Sequence, residues 1–443
     1  MPGMTRLLLA GVVATSGALV AVPQAQAVDV PVVSHGVVIP TFYNPPAALP
    51  AANGAIVRSE PMKLVAQLPA WAGGLPGHAT RLMYKTTDNN GKPVAATAAY
   101  VEPTAKWKGP GTRPIVAVAP GTMGQGDQCA PSLALERGVV VKVNSLKDFT
   151  LSAGYEDVAV YRLITSGVAV VLVDYIGLGT TDRVHTYVDR LDEGHAVLDA
   201  VRAAKSLPTT SVTSTSAVGL YGYSQGGGAV ASAAELQPSY APDVNLKGTF
   251  AGAPPANLTD VTKAIDGSEL AAALGWSING FVQSDPSLQP LLDKYLNAAG
   301  VAALKNTSTM CVGDSLKYAN AHSKNWTKTG QSISEIIAAE PAIQAEINKQ
   351  RIGLLKPTSP VQVMTGYYDN LVPHGQARQL AVDWCAKGAN VTYRNITEPK
   401  VGSPTVNHVL PLLTEQTASL NWLTARLKGK AVASNCWTMP LQP

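Results

Sequence analysis

One serine lies in a sequence setting that could make it a nucleophile. Ser224 is the centre of Gly-Tyr-Ser-Gln-Gly at residues 222–226, with an apolar run at 218–221 before it and small residues at 228–234 after it. The pattern G-x-S-x-G between a strand and a helix is typical of a sharp turn that exposes the serine hydroxyl. Such a hydroxyl becomes reactive when a histidine removes its proton and an acid orients the histidine. We predict that Ser224 is the nucleophile of an acyl-transfer site.

The acid of such a site follows the serine along the chain and precedes the histidine. Asp369 satisfies this order, because it follows an apolar run at 361–365 and lies in a turn-like segment at 366–373. A carboxylate there can orient an imidazole and stabilise its positive charge. Asp383, which we expect on a solvated helix face, is the alternative acid. The order of the residues favours Asp369.

Two of the seven histidines follow Asp369 in the chain. His408 comes after the last predicted strand, and we expect it in a loop just before the final helix, from which it could return to the serine. His374 begins a predicted helix, where a capping or surface role would be sufficient. We predict that His408 is the base and keep His374 as the alternative.

A tetrahedral intermediate also needs hydrogen-bond donors for its oxyanion. One donor should be the backbone N–H of Gln225, the residue after the nucleophile. The other should come from the glycine-rich loop at 120–126, which follows a predicted strand. We choose the N–H of Thr122, with Met123 or Gly124 as alternatives.

The elements that must position these residues alternate between strand and helix. Residues 82–86 and 94–102 alternate around Asp-Asn-Asn-Gly, which predicts a hairpin. Short apolar runs typical of buried parallel strands occur at 115–119, 168–174, 217–221, 246–251, 361–365 and 391–396. Helical patterns occur at 193–206, 228–237, 375–387 and 410–427. This succession predicts an α/β fold with a mostly parallel sheet covered by helices on both faces.

A long interval separates two of the predicted strands. Residues 253–360 are too many for a structureless loop, so we expect a helical insertion with helices at 288–304 and 333–352. The core would then comprise residues 28–252 and 361–443. The apolar segments at 271–276 and 278–282 could line a pocket or form only the insertion's own small core, and the sequence favours neither.

The composition and the N-terminus narrow the class of protein. The 443 residues are 46% hydrophobic and 14% charged with a net charge of +4, which argues against disorder and against nucleic acid as a partner. Residues 1–27 combine Arg6, an apolar run and Ala-Gln-Ala, the pattern of a signal peptide. We therefore expect a secreted protein without stable membrane insertion.

Four cysteines, Cys129, Cys311, Cys385 and Cys436, follow the predicted signal peptide. An even number in an exported chain suggests two disulfides, and three pairings are open. There is no CxxC motif and no Cys/His cluster, so we expect no metal site. A serine nucleophile with a histidine base requires no cofactor, and we expect none.

Five separated motifs together resemble one known family. They are GAIVRS at 54–59, APGT at 119–122, DQCAPS at 127–132, GYSQGG at 222–227 and the spacing of Asp369 and His408. In this order they are similar to the secretory lipase family, the fungal lipase-A type with actinobacterial members. The resemblance implies an α/β-hydrolase fold with a helical lid inserted before the acid-bearing strand, and triad roles for Ser224, Asp369 and His408.

The same resemblance implies how the cysteines pair. Family disulfides would join Cys129 to Cys311 and Cys385 to Cys436, tying the lid to the core and holding the C-terminus. One departure concerns the oxyanion loop, where the fungal lipases carry an acidic residue and this chain is rich in glycine.

These observations predict a secreted serine ester hydrolase, specifically a triacylglycerol lipase that forms an acyl-enzyme. Its partner would be a lipid or other small ester, including one presented at an oil–water interface, and no protein partner is expected. A short-chain or aryl carboxylesterase on the same fold is the alternative. A serine peptidase and a non-catalytic binding protein are more distant alternatives.

Overall fold

The computed structural model describes residues 30–68, 76–145 and 148–443, so the predicted signal peptide lies outside the described residues. The strands are β1 Val32–Ser34, β2 Val37–Ile39, β3 Ile56–Met62, β4 Gly77–Thr87, β5 Pro93–Pro103, β6 Ile115–Ala119, β7 Val139–Ser145, β8 Asp148–Ala153, β9 Ala169–Ile176, β10 Val218–Tyr223, β11 Leu246–Gly252, β12 Val361–Gly366 and β13 Val391–Ile396. The helices are α1 Pro131–Arg137, α2 Asp157–Thr165, α3 Arg190–Ser206, α4 Gln225–Tyr240, α5 Leu258–Ile265, α6 Ala272–Ser284, α7 Gln289–Tyr295, α8 Ala298–Thr307, α9 Ile333–Ala339, α10 Pro341–Lys349, α11 His374–Ala386 and α12 Pro404–Leu427.

Nine of the described strands form one sheet in the order β13-β12-β11-β10-β6-β9-β5-β4-β3. The six strands from β13 to β9 run parallel, and β5, β4 and β3 continue the sheet antiparallel. The predicted hairpin is present as β4 and β5, where Asp88 Oδ1 accepts the N–H groups of Asn90 and Lys92 and Gly91 takes φ +76°. The mostly parallel sheet confirms the predicted fold class.

Helices cover both faces of the sheet because its parallel strands are apolar on both sides. Along β10, Val218 and Leu220 pack in the cluster that contains α3, α4 and α11, whereas Tyr221 and Tyr223 face the cluster that contains α2 and α12. Side chains alternate between the two faces of a strand, so each central strand contributes to both cores. The carboxyl ends of the parallel strands lie at one edge, where the predicted site residues follow β6, β10 and β12.

The helices α5 to α10 lie between β11 and β12, which are neighbouring parallel strands. Each of the two long helices expected here is broken in two. The first is interrupted after Tyr295, where α7 ends, and Asn297 caps α8 by accepting the N–H of Gly300 at 3.0 Å. Pro341 lacks an N–H to extend a helix, so α9 ends at Ala339 and α10 begins with the proline.

Candidate active site

Ser224 lies at the turn between β10 and α4, in a backbone conformation that side chains rarely adopt. Its φ is +57° and ψ is −125°, and its N–H donates to the carbonyl of Gly252 at 2.9 Å. A Cβ at Gly222 would lie 2.1 Å from the carbonyl oxygen of Gly226, and a Cβ at Gly226 would lie 1.9 Å from that of Ala119. The glycines of the motif are therefore required by close backbone packing, which presents the serine at the end of the strand.

The predicted base lies at hydrogen-bond distance from both the serine and the predicted acid. His408 Nε2 lies 2.9 Å from Ser224 Oγ, and His408 Nδ1 lies 2.7 Å from Asp369 Oδ2. The other carboxylate oxygen of Asp369 accepts the backbone N–H groups of Leu371 at 3.1 Å and Val372 at 2.9 Å. Asp369 and His408 are each 4% exposed. The imidazole is therefore oriented by a buried carboxylate that two backbone N–H groups hold in place.

His408 lies inside a helix and not in the expected loop. The helix α12 begins at Pro404, with Ser403 Oγ accepting the N–H of Val406 at 3.2 Å, and His408 is in its second turn. The hydroxyl of Tyr223, the residue before the nucleophile, donates to the His408 carbonyl at 2.7 Å. The base is therefore held by a helix that is tied directly to the serine-bearing strand.

The alternative base and acid have partners elsewhere. His374 Nε2 lies 2.9 Å from the hydroxyl of Tyr393. Asp383 forms an ion pair with Arg351, whose guanidinium donates to the Asp383 carboxylate at 2.9 Å. Neither residue belongs to the hydrogen-bonded chain that joins Ser224 to His408. The structure thus brings together the side chains of the preferred candidates. His374 contacts them through its backbone N–H, which donates to the Asp369 carbonyl at 3.2 Å, while its side chain bonds elsewhere.

Thr122 and Gln225 line the same cavity as Ser224. Met123 and Gly124 are instead engaged with the insertion, because the Met123 carbonyl accepts the N–H of Val312 at 2.8 Å and Gly124 forms an antiparallel bridge with Cys311. This placement favours Thr122 over its two alternatives as the second oxyanion donor. The donor roles of Thr122 and Gln225 remain predictions.

A buried network beneath Gln225 was not predicted from the sequence. The Gln225 side chain donates to Glu193 Oε1 at 2.8 Å and to His185 Nε2 at 3.0 Å. Burial lowers the pKa of His185 to about 4, so its neutral ring donates from Nδ1 to the Ile176 carbonyl and accepts at Nε2. Burial raises the pKa of Glu193 to about 8. His185 and Glu193 lie on one stretch of chain and Gln225 follows 32 residues after Glu193, and no motif spacing connects the three.

The cavity above Ser224 is apolar and is formed largely by the insertion. Its lining includes Leu258, Ile278, Phe281, Leu292, Ile333 and Ile337. The segments at 271–276 and 278–282 serve both functions considered for them. Leu274 and Phe281 line the cavity, whereas Trp276 is fully buried and donates its indole N–H to the Thr307 carbonyl at 2.9 Å.

Two disulfides join distant segments, Cys129 with Cys311 and Cys385 with Cys436, which is the pairing that the resemblance implies. Around the first bridge, Gln125 N–H donates to the Met310 carbonyl at 2.8 Å, so the oxyanion loop is joined to the insertion by backbone as well as by sulfur. Among the described residues, no group of three or more His, Cys, Asp or Glu side chains is arranged to hold a metal ion.

The parallel sheet, the strained serine turn and the Ser-His-Asp chain define an α/β-hydrolase. The structure is similar to Candida antarctica lipase A in its closed state, with a TM-score of 0.72 and 21% identity over 87% of this chain and 85% of that one. Residues 141–435 match the secretory lipase family. The chain belongs to the secretory lipase family, a family of carboxylic ester hydrolases, as the resemblance indicated.

Curated relatives agree with this assignment but differ in their stated activity. A probable inactive lipase of Mycobacterium tuberculosis is 27% identical over 89% of this chain and 83% of its own length. A secreted triacylglycerol lipase of Malassezia globosa is 27% identical over 71% of this chain and 64% of its own length. The family assignment and the Malassezia relative support the predicted secretion. No helix of the described part of the chain is long and apolar enough to span a bilayer.

Proposed function

We propose that this protein is a secreted lipase that hydrolyses long-chain acyl esters, triacylglycerols among them, through Ser224, His408 and Asp369. The observation that carries the proposal is a hydrogen-bonded chain from Asp369 through His408 to Ser224 that opens into an apolar cavity. Each buried CH₂ of an acyl chain gains about 0.8 kcal/mol, so such a cavity favours long acyl chains.

The geometry supports the following sequence of steps. Ser224 Oγ attacks the ester carbonyl as its proton passes to His408 Nε2, and Asp369 stabilises the imidazolium from Nδ1. The N–H groups of Thr122 and Gln225 stabilise the oxyanion. His408 then protonates the leaving alcohol, an acyl-enzyme forms, and water activated by His408 releases the fatty acid.

We propose further that residues 253–360 act as the lid of this site, and that residues 1–27 direct export. Support for a lid comes from the helices α5, α6, α7, α9 and α10, which contribute apolar side chains to the cavity above Ser224. A lid of this kind would exclude water from the acyl chain and open at an oil–water interface.

A peptidase would need a free carboxylate to hold a substrate amino terminus. The only acidic side chain that lines this cavity within the described residues is Glu346, and it is already paired with Lys349 at 2.6 Å. A non-catalytic protein, as the name of the mycobacterial relative would suggest, has no need for a connected triad. The present geometry therefore favours an active ester hydrolase.

The test is hydrolysis of p-nitrophenyl esters from two to eighteen carbons, with emulsified triglyceride alongside, by the wild type and by Ser224→Ala. Loss of the nucleophile should lower kcat about a millionfold. Ser239→Ala, on an exposed position of the same helix α4, is the matched control and should retain wild-type rates.

Three outcomes would change the proposal. Wild-type hydrolysis by Ser224→Ala would remove the catalytic assignment. A sharp optimum at two to four carbons with no triglyceride hydrolysis would make the protein a short-chain carboxylesterase. An inactive wild type that binds fatty esters would make it a binding protein.

A further inference from the structure

The peptide groups of the oxyanion loop are held by residues that the triad mechanism does not use. The Pro120 carbonyl accepts the hydroxyl of Tyr175 at 2.6 Å, and the N–H of Gly121 in the same peptide donates to Glu156 Oε1 at 2.9 Å. Both polar ends of the Pro120–Gly121 peptide are therefore fixed by buried side chains. Its plane cannot rotate without breaking two hydrogen bonds.

The next restraint along the loop comes from the neighbour of Glu156. The hydroxyl of Tyr155 donates to the Thr122 carbonyl at 3.1 Å, which fixes the peptide that follows Thr122. The peptide between the two restrained ones, Gly121–Thr122, carries the N–H predicted to bind the oxyanion. Because its neighbours on both sides are held, Tyr155 and Glu156 together set the direction of that N–H.

The environment of Gly121 and Glu156 agrees with such a role. A Cβ at Gly121 would lie 2.5 Å from the Tyr155 hydroxyl, so the loop and Tyr155 are packed too closely for a side chain. Glu156 precedes α2, but its side chain makes no cap for that helix and turns to the loop instead. The residue is 2% exposed, and its Oε2 has no hydrogen-bond partner among the described residues.

Placing a carboxyl group there is unfavourable for folding. Burial raises the pKa of Glu156 to about 7, and the hydrogen bond from Gly121 only partly offsets this effect. Asp157, the next residue, also has its pKa raised to about 7 by burial, but it lies against Gly154 and not against the loop. Glu156 is buried and Asp157 is half-buried, and of these two adjacent carboxyl groups it is that of Glu156 that contacts the oxyanion loop.

We propose that Tyr155 and Glu156 are positioning residues that aim the Thr122 N–H at the oxyanion of the tetrahedral intermediate. The inference rests on the proposed ester hydrolase function. It assigns to Glu156 the role of a hydrogen-bond acceptor. A glutamine at this position should preserve the function, because its side-chain carbonyl also accepts a hydrogen bond. A leucine of similar size has no acceptor and should not preserve it.

The experiment compares Glu156→Gln, Glu156→Leu, Tyr155→Phe and the control Asp157→Asn with the wild type, using a p-nitrophenyl ester that the wild type hydrolyses. A misdirected oxyanion donor should lower kcat about tenfold to a hundredfold in Glu156→Leu, and severalfold in Tyr155→Phe, with KM changed less than twofold. Glu156→Gln and Asp157→Asn should remain within threefold of the wild-type kcat.

A second measurement distinguishes a misdirected Thr122 N–H from a general loss of packing around the loop. A trifluoromethyl ketone adds to Ser224 Oγ as the serine proton passes to His408, and the resulting hemiketal oxygen occupies the oxyanion position. Its dissociation constant should rise about tenfold or more in Glu156→Leu and return towards the wild-type value in Glu156→Gln. The melting temperature of each variant reports whether it is folded.

The outcomes distinguish this inference from the proposed function. If Ser224→Ala is inactive but folded Glu156→Leu keeps wild-type kcat and ketone affinity, the positioning role is wrong and the enzyme assignment stands. Equal losses in Glu156→Leu, Glu156→Gln and Asp157→Asn would also overturn it. If Glu156→Leu does not fold, an unchanged kcat and ketone affinity in Tyr155→Phe would overturn it.

Discussion

The disulfide between Cys129 and Cys311 should support both stability and catalysis, and replacing both residues with alanine separates the two effects. The bridge joins residues 182 positions apart, whereas the bridge from Cys385 to Cys436 spans 51. Loop-closure entropy in the unfolded chain predicts about 5 kcal/mol of stabilisation for the first bridge and about 4 kcal/mol for the second. The two double variants are therefore matched in chemistry and close in expected stability.

Their catalytic effects should differ because of what lies beside each bridge. Cys311 faces Gly124 in the oxyanion loop, whereas Cys436 packs near the C-terminus and Cys385 lies on α11. Without the first bridge, residues 120–126 are held to the insertion by hydrogen bonds, from the backbone and from the Gln125 side chain to the Trp276 carbonyl and Asn279. We expect kcat to fall about tenfold in Cys129→Ala/Cys311→Ala, because misplacing an oxyanion donor weakens transition-state binding. KM should change little.

The assay is urea unfolding followed by tryptophan fluorescence, with kcat measured on folded protein at a temperature where every variant is fully native. Removal of the second bridge should lower the free energy of unfolding and leave kcat at the wild-type value. Equal losses of kcat in the two double variants would refute the link between the first bridge and the oxyanion loop. Wild-type kcat in Cys129→Ala/Cys311→Ala would refute it as well.

Three further predictions concern the base, a buried acid and the cavity. His408→Ala should approach the kcat loss of the serine variant, whereas His374→Ala should keep activity within a few-fold in the same ester assay. Glu193 binds its proton more tightly in the folded state, with a pKa of about 8, than in the unfolded chain, so its contribution to stability is lost as the pH rises towards 8. Glu193→Gln should therefore show a smaller fall in melting temperature than the wild type between pH 5 and pH 8. Ile278→Trp should narrow the cavity and lower hydrolysis of esters of twelve or more carbons while sparing the two-carbon ester, as the ester panel would measure.

Each of these predictions has an outcome that contradicts it. Equal losses of kcat in His408→Ala and His374→Ala would contradict the assignment of His408 as the base. If the melting temperature of Glu193→Gln falls with pH as steeply as that of the wild type, another group causes the pH dependence. A uniform loss across all chain lengths in Ile278→Trp would indicate a damaged site and not a shortened cavity.

Much of the fold could be predicted because its signals are local. Parallel strands that are buried on both faces must be apolar along their whole length, so the run at 115–119 coincides with β6. The run at 391–396 coincides with β13, although this edge strand is half-buried at Thr392, Arg394 and Asn395. The start of α12 was predicted at residue 410, six residues late, because Pro404 looks like a helix breaker. Pro404 is tolerated in the first turn, where its missing N–H would have no partner within the helix.

The candidate site was predictable to different degrees for the same reason. Ser224 has a motif, and chain order indicates Asp369 and His408. The structure brings His408 within hydrogen-bond distance of both Asp369 and the serine. Glu156 and Glu193 have neither signal. They reach the oxyanion region through contacts between distant segments. A single sequence does not distinguish a buried glutamate from an exposed one.

The insertion leaves the sheet after β11 and returns in the adjacent strand, where the Ala253 N–H donates to the Met364 carbonyl at 2.6 Å. Its two ends are thus neighbours, and evolution or an engineer could exchange the whole segment without rebuilding the hydrolytic centre. Two exceptions are Cys311 with its flanking backbone and Glu269, which accepts the Ser403 hydroxyl and the Thr405 N–H at the start of the helix that carries His408. A transplanted cap that omitted these anchors would alter turnover as well as substrate choice, so the two properties are only partly modular in this protein.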